Sequence, residues 1–215
     1  MSRRFTETIT CPKCNNTQGF DVWYSLNADI DPDAKEQLLN GTLFGYRCEK
    51  CGYESNVDYG MLYHDMTNMA MVYYVHESEI EETKKGFIDT NDMMGIEMPE
   101  YKKRIVTNRN ALREKAVIFD NGLDDRPIEI IKLLYDVKAM QDNPDAKISA
   151  VYFIVKDGEY VLEFLGDTPM VATIPSGLYE RIANDYAERI ELFSKNECVI
   201  DRAWARKVIR KSKSE

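Results

Sequence analysis

The sequence predicts an α+β protein, and three observations lead there. Two Cys-x-x-Cys pairs, Cys11/Cys14 and Cys48/Cys51, lie in a first third whose apolar residues alternate as in strands. Helical periods with capping residues then follow from Asn110 onward. Finally, an Asp157-Gly158 turn joins two β-rich runs that lead into an amphipathic helix. The expected architecture is a zinc-ribbon-like antiparallel β domain with closing helices over residues 1–140, then a small β-meander plus two helices over 147–215.

The N-terminal segment has Arg3 and Arg4 but no apolar core for a signal peptide. The first cysteine pair forms a turn that Pro12 presets. Phe20 to Ala28 alternates as a strand, with Phe20, Val22, Tyr24 and Leu26 on one face. Asp31 caps a short helix with Pro32 at its first position and Gly41 just past its end. Leu43 to Arg47 leads as a strand into the second pair, Tyr53 to Tyr59 leaves it, and Met69 to Val75 is a further β-rich run. Residues 77–100 are acid-dominated, with Gly86, Gly95 and Pro99 interrupting any period, and read as a solvated excursion or linker. A basic block follows, from Lys102 to Lys115.

Asn110 can cap a helix through Phe119 that presents Leu112, Ala116 and Phe119. Asp124, Asp125 and Pro127 start a second, with Ile128, Ile131, Leu134 or Tyr135, and Met140 along one side. Both helices are expected to pack on the first sheet. The cluster Asp120, Asp124 and Asp125 invites a divalent-cation reading, but capping and turn formation explain it. Beyond the junction at 141–146, Ile148 to Val155 and Tyr160 to Leu165 are the hairpin strands, and Met170 to Ile174 is a third. Ser176 caps a helix burying Leu178, Ile182, Tyr186, Ile190 and Phe193. Asp201 opens a last helix that ends in cations, which complement its dipole.

The chemistry concentrates in the cysteines. Each pair places two thiolates on one turn, and two such turns supply the four tetrahedral sulfurs of a structural Zn2+ site. Asn15 and Gly52, each just after a second cysteine, tolerate the left-handed backbone such a turn needs. A Zn(Cys)4 centre carries about −2 formal charge, and Lys13, Lys50 and Arg47 stand beside it in sequence. A redox dithiol and a disulfide clip are the competing readings. Redox pairs normally open a helix, and neither pair here opens a helical pattern. Cys198, flanked by Val199 and Ile200, reads as a buried apolar thiol.

A net charge of −9 argues against generic attraction to nucleic acid or to an anionic membrane. No apolar run approaches the length that spans a bilayer, so a cytoplasmic setting with reduced thiols is expected. His64 and His76 are the only histidines. His64-Asp65 is read as a turn with a hydrogen-bonded imidazole rather than as a catalytic or metal-binding group. The sequence has no phosphate-binding loop, nucleophile elbow or metalloprotease helix motif.

Several segments together resemble the CpXC domain family. They are Ile9-Thr10-Cys11-Pro12-Lys13-Cys14, the Asp31-Pro32 helix ending Leu38-Leu39-Asn40-Gly41, and Cys48-Glu49-Lys50-Cys51-Gly52. Met61-Leu62-Tyr63-His64-Asp65, Met71-Val72-Tyr73-Tyr74-Val75, Arg104-Ile105-Val106-Thr107-Asn108 and Asp120 to Glu129 continue the likeness, over about residues 5 to 140. Glu49 stands where the first pair has Pro12, which affects turn rigidity and not ligation. The resemblance implies metal binding through Cys11, Cys14, Cys48 and Cys51 and a prokaryotic source; it implies no reaction. The functional expectation is a non-enzymatic zinc-binding module that presents a surface to another protein. The linker acids and Tyr59, Tyr63 and Tyr73 are candidate parts of that surface. Nucleic-acid binding through the ribbon and dithiol redox chemistry are the alternatives.

Overall fold

Strand β1 (Arg3–Thr10) carries too little apolar alternation to announce itself, yet it pairs antiparallel with β2 (Thr17–Asn27) along its whole length. The first cysteine pair is the turn between them. The computed structural model describes residues 2–86, 101–167 and 169–210, and the chain forms two compact units, Met1–Ala116 and Val117–Glu215.

In the first unit, α1 (Pro32–Asn40) follows β2, with Asp31 at its N-cap and Gly41 at its C-cap at φ 83°. Asp31 does not cap with its side chain; it accepts instead from the Ser2 hydroxyl. Two short strands, β3 (Gly45–Arg47) and β4 (Glu54–Asn56), make a separate antiparallel hairpin whose turn is the second cysteine pair. The chain then adds β5 (Met61–Asp65), β6 (Ala70–Tyr74) and β7 (Lys102–Val106) to the first sheet, in the order β1-β2-β5-β6-β7.

The α+β class stands, but this sheet is mixed rather than wholly antiparallel: β2 with β5 and β6 with β7 run parallel. Parallel neighbours need long crossovers. One crossover holds α1 and the β3–β4 hairpin. The acidic stretch lies in the other, between β6 and β7. Within it Glu77–Glu79 is a 3-10 turn, capped reciprocally by His76 and Glu79, and residues 80–86 are helical. The remainder of the expected excursion, 87–100, lies outside the described residues.

The single apolar face expected for Phe20 to Leu26 breaks at a bulge. Arg3 and Arg4 pair with Ser25 and Trp23, leaving Tyr24 as the extra residue. Trp23 is therefore buried and Tyr24 is 55% exposed. Helix α2 (Arg109–Asp120) starts one residue before the expected cap, because the Asn108 carboxamide rather than Asn110 accepts the Ala111 N–H at 2.8 Å. Arg113 Nε donates to the Leu39 carbonyl at 2.7 Å and so satisfies one of the unpaired carbonyls at the end of α1.

In the second unit, α3 (Asp125–Asp142) is capped by the Asp124 side chain, which accepts from the Arg126 N–H. Its expected stripe is buried at Ile128 and Ile131 and half-buried at Tyr135, but does not extend to Met140. Ile128, Ile130, Ile131 and Leu133 are all inside, while Leu134 and Met140 are exposed. Within this unit, β8 (Ile148–Lys156), α4 (Leu178–Asp185) and α6 (Arg202–Ile209) pack around α3. Strands β8, β9 (Glu159–Gly166) and β10 (Met170–Thr173) form the expected meander. Asp157 and Gly158 take φ 53° and 80°, the left-handed pair of a type I′ turn.

The helix expected from Ser176 to Phe193 is two. α4 begins after Gly177, at φ 77°, and ends at Tyr186, where α5 (Ala187–Ser194) begins. Asn184 and Asp185 at the join are weak helix formers. Asp201 caps α6 by accepting from the Trp204 N–H at 2.8 Å.

Candidate metal centre

Each cysteine pair occupies a hairpin turn, and the two turns repeat one another bond for bond. In the first, Cys11 N–H donates to the Asn16 carbonyl at 2.8 Å and Asn15 N–H to the Cys11 carbonyl at 2.9 Å. In the second, Cys48 N–H donates to Tyr53 at 2.8 Å and Gly52 N–H to Cys48 at 2.9 Å. Asn15 and Gly52 hold the matching left-handed positions, at φ 56° and 67°. Such a turn directs its N–H groups toward the sulfurs it carries. Both sequence-read turn residues thus do the work expected of them.

The four Sγ atoms of Cys11, Cys14, Cys48 and Cys51 lie within 4.8 Å of one another. Cys11–Cys51 is 3.7 Å and Cys14–Cys48 is 3.6 Å. A tetrahedron of sulfurs at about 2.3 Å from a central ion has edges of about 3.8 Å. A disulfide would require about 2.05 Å, and all five cysteines are free. The close pairs also cross between the turns, whereas a redox dithiol pairs within one. The donor set therefore fits a four-sulfur metal ion.

Electrostatics point the same way. Burial opposes a thiolate at Cys48, but the N–H groups of Cys51 and Lys50 outweigh it and bring this thiol down to about 6. At Cys14 the Asn16 N–H favours the anion. Burial and the three neighbouring sulfurs override it and hold the thiol at about 12. The crowded sulfurs thus oppose the Cys14 thiolate, and a bound cation would favour it. Tyr46, buried beside the cluster, is pushed up to about 12 by burial and then by the Cys48 charge.

Packing closes the centre on its inner side. Cys11 and Cys48 are buried with Tyr46, and Ile9, Phe20, Tyr53 and Val57 pack against them, while Cys14 and Cys51 sit at the half-buried rim. Gln18 joins the two turns: its Nε2 donates to the Arg47 carbonyl and its Oε1 accepts from the Glu49 N–H, both at 2.9 Å. Nothing in the spacing of the sequence marks this residue, because its partners come from the other hairpin. Lys13 and Lys50 are exposed, and Arg47 pairs with Glu54 at 3.6 Å.

The other candidates do not assemble a second site. His64 Nε2 lies 3.2 Å from the Tyr101 hydroxyl. Its neighbour Asp65 is buried and accepts from Tyr63 and from both nitrogens of Asn68, with Lys35 at 3.6 Å. Asp124 is engaged as a cap and in a fork with Arg126. Cys198 is half-buried rather than fully enclosed. Of the aromatics expected at a surface, Tyr63 is in the core, and Tyr59 and Tyr73 are half-buried. Among the described residues, the four cysteines form the one group of His, Cys, Asp or Glu with metal-ligand geometry.

The fold and site define an α+β protein whose four-cysteine centre is clamped between the turns of two hairpins. The CpXC family model, described as "CpXC protein", matches residues 9–132, more than half of the chain, and so covers both cysteine turns and strands β2 to β7. The chain belongs to this family. No curated protein and no solved structure matches it. No helix among the described residues is long and apolar enough to cross a membrane.

Proposed function

We propose that the chain is a zinc-binding module whose Zn(Cys)4 centre is structural, and that it acts by presenting a surface to another protein. The observation that carries the reading is the closed sulfur set. Four cysteine ligands at tetrahedral spacing fill the coordination shell of Zn2+ and leave no position for an activated water. A reduced, cytoplasmic, prokaryotic setting belongs to the same proposal, because thiolates must stay available to the metal.

A protein partner is favoured over nucleic acid by where the cations are. The basic block is not a patch: Arg104 and Lys115 are 8% and 2% exposed, and Arg113 is spent on the end of α1. With a net charge of −9, Lys13 and Lys50 at the metal rim offer too little to hold a polyanion.

Metal analysis of the purified chain, together with thiol titration, tests the centre. One zinc per chain with four masked thiols is expected; iron in its place, or four reactive thiols, overturns it. Anisotropy titration with labelled single- and double-stranded oligonucleotides tests the partner class. Micromolar binding that survives physiological salt and is lost on mutating Lys13 and Lys50 would move the reading to nucleic acid.

A further inference from the structure

Among the described residues, nothing pairs with the outer edge of the five-stranded sheet at the β1–β2 hairpin. β1 is its terminal strand, and every one of its residues except Ile9 is exposed. An exposed, eight-residue edge is a template for another strand. Phe5 and Tyr24 are 48% and 55% exposed and meet edge to face at 5.3 Å, so the open edge also carries an aromatic pair.

Two of the three charges on this strand have no ion-pair partner among the described residues. Arg4 pairs with Asp21 at 3.3 Å and lies over Trp23. Arg3 and Glu7 make no ion pair among the described residues; Arg3 lies only over its own neighbour's ring, Phe5, at 5.9 Å. They share one face of the strand but stand about 13 Å apart along it, too far to meet.

We propose that two copies of the chain pair through β1, antiparallel, with Phe5 on the two-fold axis. In that register Arg3 of each copy faces Glu7 of the other, and the two Phe5 rings face each other beside the two Tyr24 rings. The register follows from elimination. Only alternate residues direct their N–H and C=O groups to the open edge, so an antiparallel pairing must centre on a residue. Centring on Arg4 sets Arg4 against itself, and centring on Glu7 sets Glu7 against itself. Centring on Thr6 leaves Arg3 opposite Ile9 and Glu7 opposite Phe5, and centring on Thr8 leaves Glu7 opposite Ile9 and Arg3 beyond the paired strand. Centring on Phe5 matches both charges, and opposite charges directly across a ladder stabilise it while like charges do the reverse. The pairing adds main-chain bonds to an interface of modest area, which makes a reversible dimer the expected state. It is independent of the zinc reading.

Sedimentation velocity from micromolar to submillimolar concentration tests the pairing. The natural chain is expected to dimerise reversibly. Arg3→Glu and Glu7→Arg, each placing two like-charge contacts across the axis, should raise the dissociation constant on the order of tenfold. The double variant R3E/E7R restores both contacts with reversed sign and should recover the dimer. A natural chain that stays monomeric, single variants that dimerise as well as it does, or a double variant that does not recover each overturn the proposal. The register is read on the unmutated chain in a mixture of labelled and unlabelled copies. Inter-copy proton contacts joining Arg4 to Thr6 are expected. Contacts joining Arg4 to Arg4 or Thr6 to Thr6 overturn it, and this measurement decides even where a variant folds poorly.

Discussion

Gln18 spans the two halves of the metal centre with a single carboxamide, using one end as donor and the other as acceptor. Truncating it in Gln18→Ala removes both bonds from a partly exposed site, which should lower stability by about 1–2 kcal/mol. Groups that orient ligands also affect metal affinity, so zinc retention against a chelator should fall about tenfold. Unchanged melting and unchanged competition would show the clamp to be idle. Gly52 makes a sharper test of the turn. At φ 67° it has open space around its Cβ position, so Gly52→Ala meets no clash and pays only backbone strain, about 1–2 kcal/mol. Asn15→Gly, at the matching position of the other turn, should be near neutral. Equal effects of the two would deny that the left-handed backbone is what selects these residues.

At His64, burial depresses the imidazole below its ordinary value, with Asp29 and Asp65 pulling the other way. The unfolded chain, titrating near ~6.5, then binds the proton more readily than the folded one. Stability contributed by His64 is therefore full above about pH 6.5 and lost as pH falls through the lower, folded value. Urea unfolding at a series of pH values should show this loss, and His64→Gln should flatten that part of the profile. A slope unchanged by the substitution would assign the pH dependence elsewhere.

Among the elements, those with strong local chemistry were readable from residues alone. Asp31-Pro32 and Gly41 bound α1, Asp124 and Asp201 cap their helices, and Asp157-Gly158 makes the turn of the C-terminal hairpin. Asp124→Ala removes a cap and the fork with Arg126, and should cost about 1 kcal/mol in thermal or urea unfolding. No loss would show that neither the cap nor the fork contributes, and that the existing Arg126–Glu191 pair at 2.8 Å suffices to hold Arg126. Elements whose signal is non-local were not readable. β1 has little apolar pattern because almost none of it is buried, and it exists because β2 offers it a ladder. The burial of Ile130 and Leu133 off the expected stripe of α3 reflects its neighbours, not its period.

For the whole molecule, the metal centre ties two hairpins of the first unit, while the second unit has a sheet and helices of its own. Because ligation and folding are linked, a chelator or Cys48→Ser should abolish hydrogen-exchange protection in β1 to β4. Protection in β8, β9 and α3 should largely remain. Loss of protection in both units together would show one cooperative body, and no loss in the hairpins would remove the structural role of the metal.

Residue spacing alone was enough to pick out Cys11, Cys14, Cys48 and Cys51 and to place Asn15 and Gly52, because a ligand pair on one turn and a left-handed residue after it are local requirements, while a likeness spread over several segments indicated the family. The parallel pairings β2–β5 and β6–β7, the bulge that turns Tyr24 outward, the Gln18 clamp and the burial of Tyr63, Arg104 and Lys115 came from the fold. Each of these depends on which distant strand or hairpin arrives alongside. Chain neighbours carry no record of that, since the free energy that selects it is released only when the separate elements bury one another's surfaces.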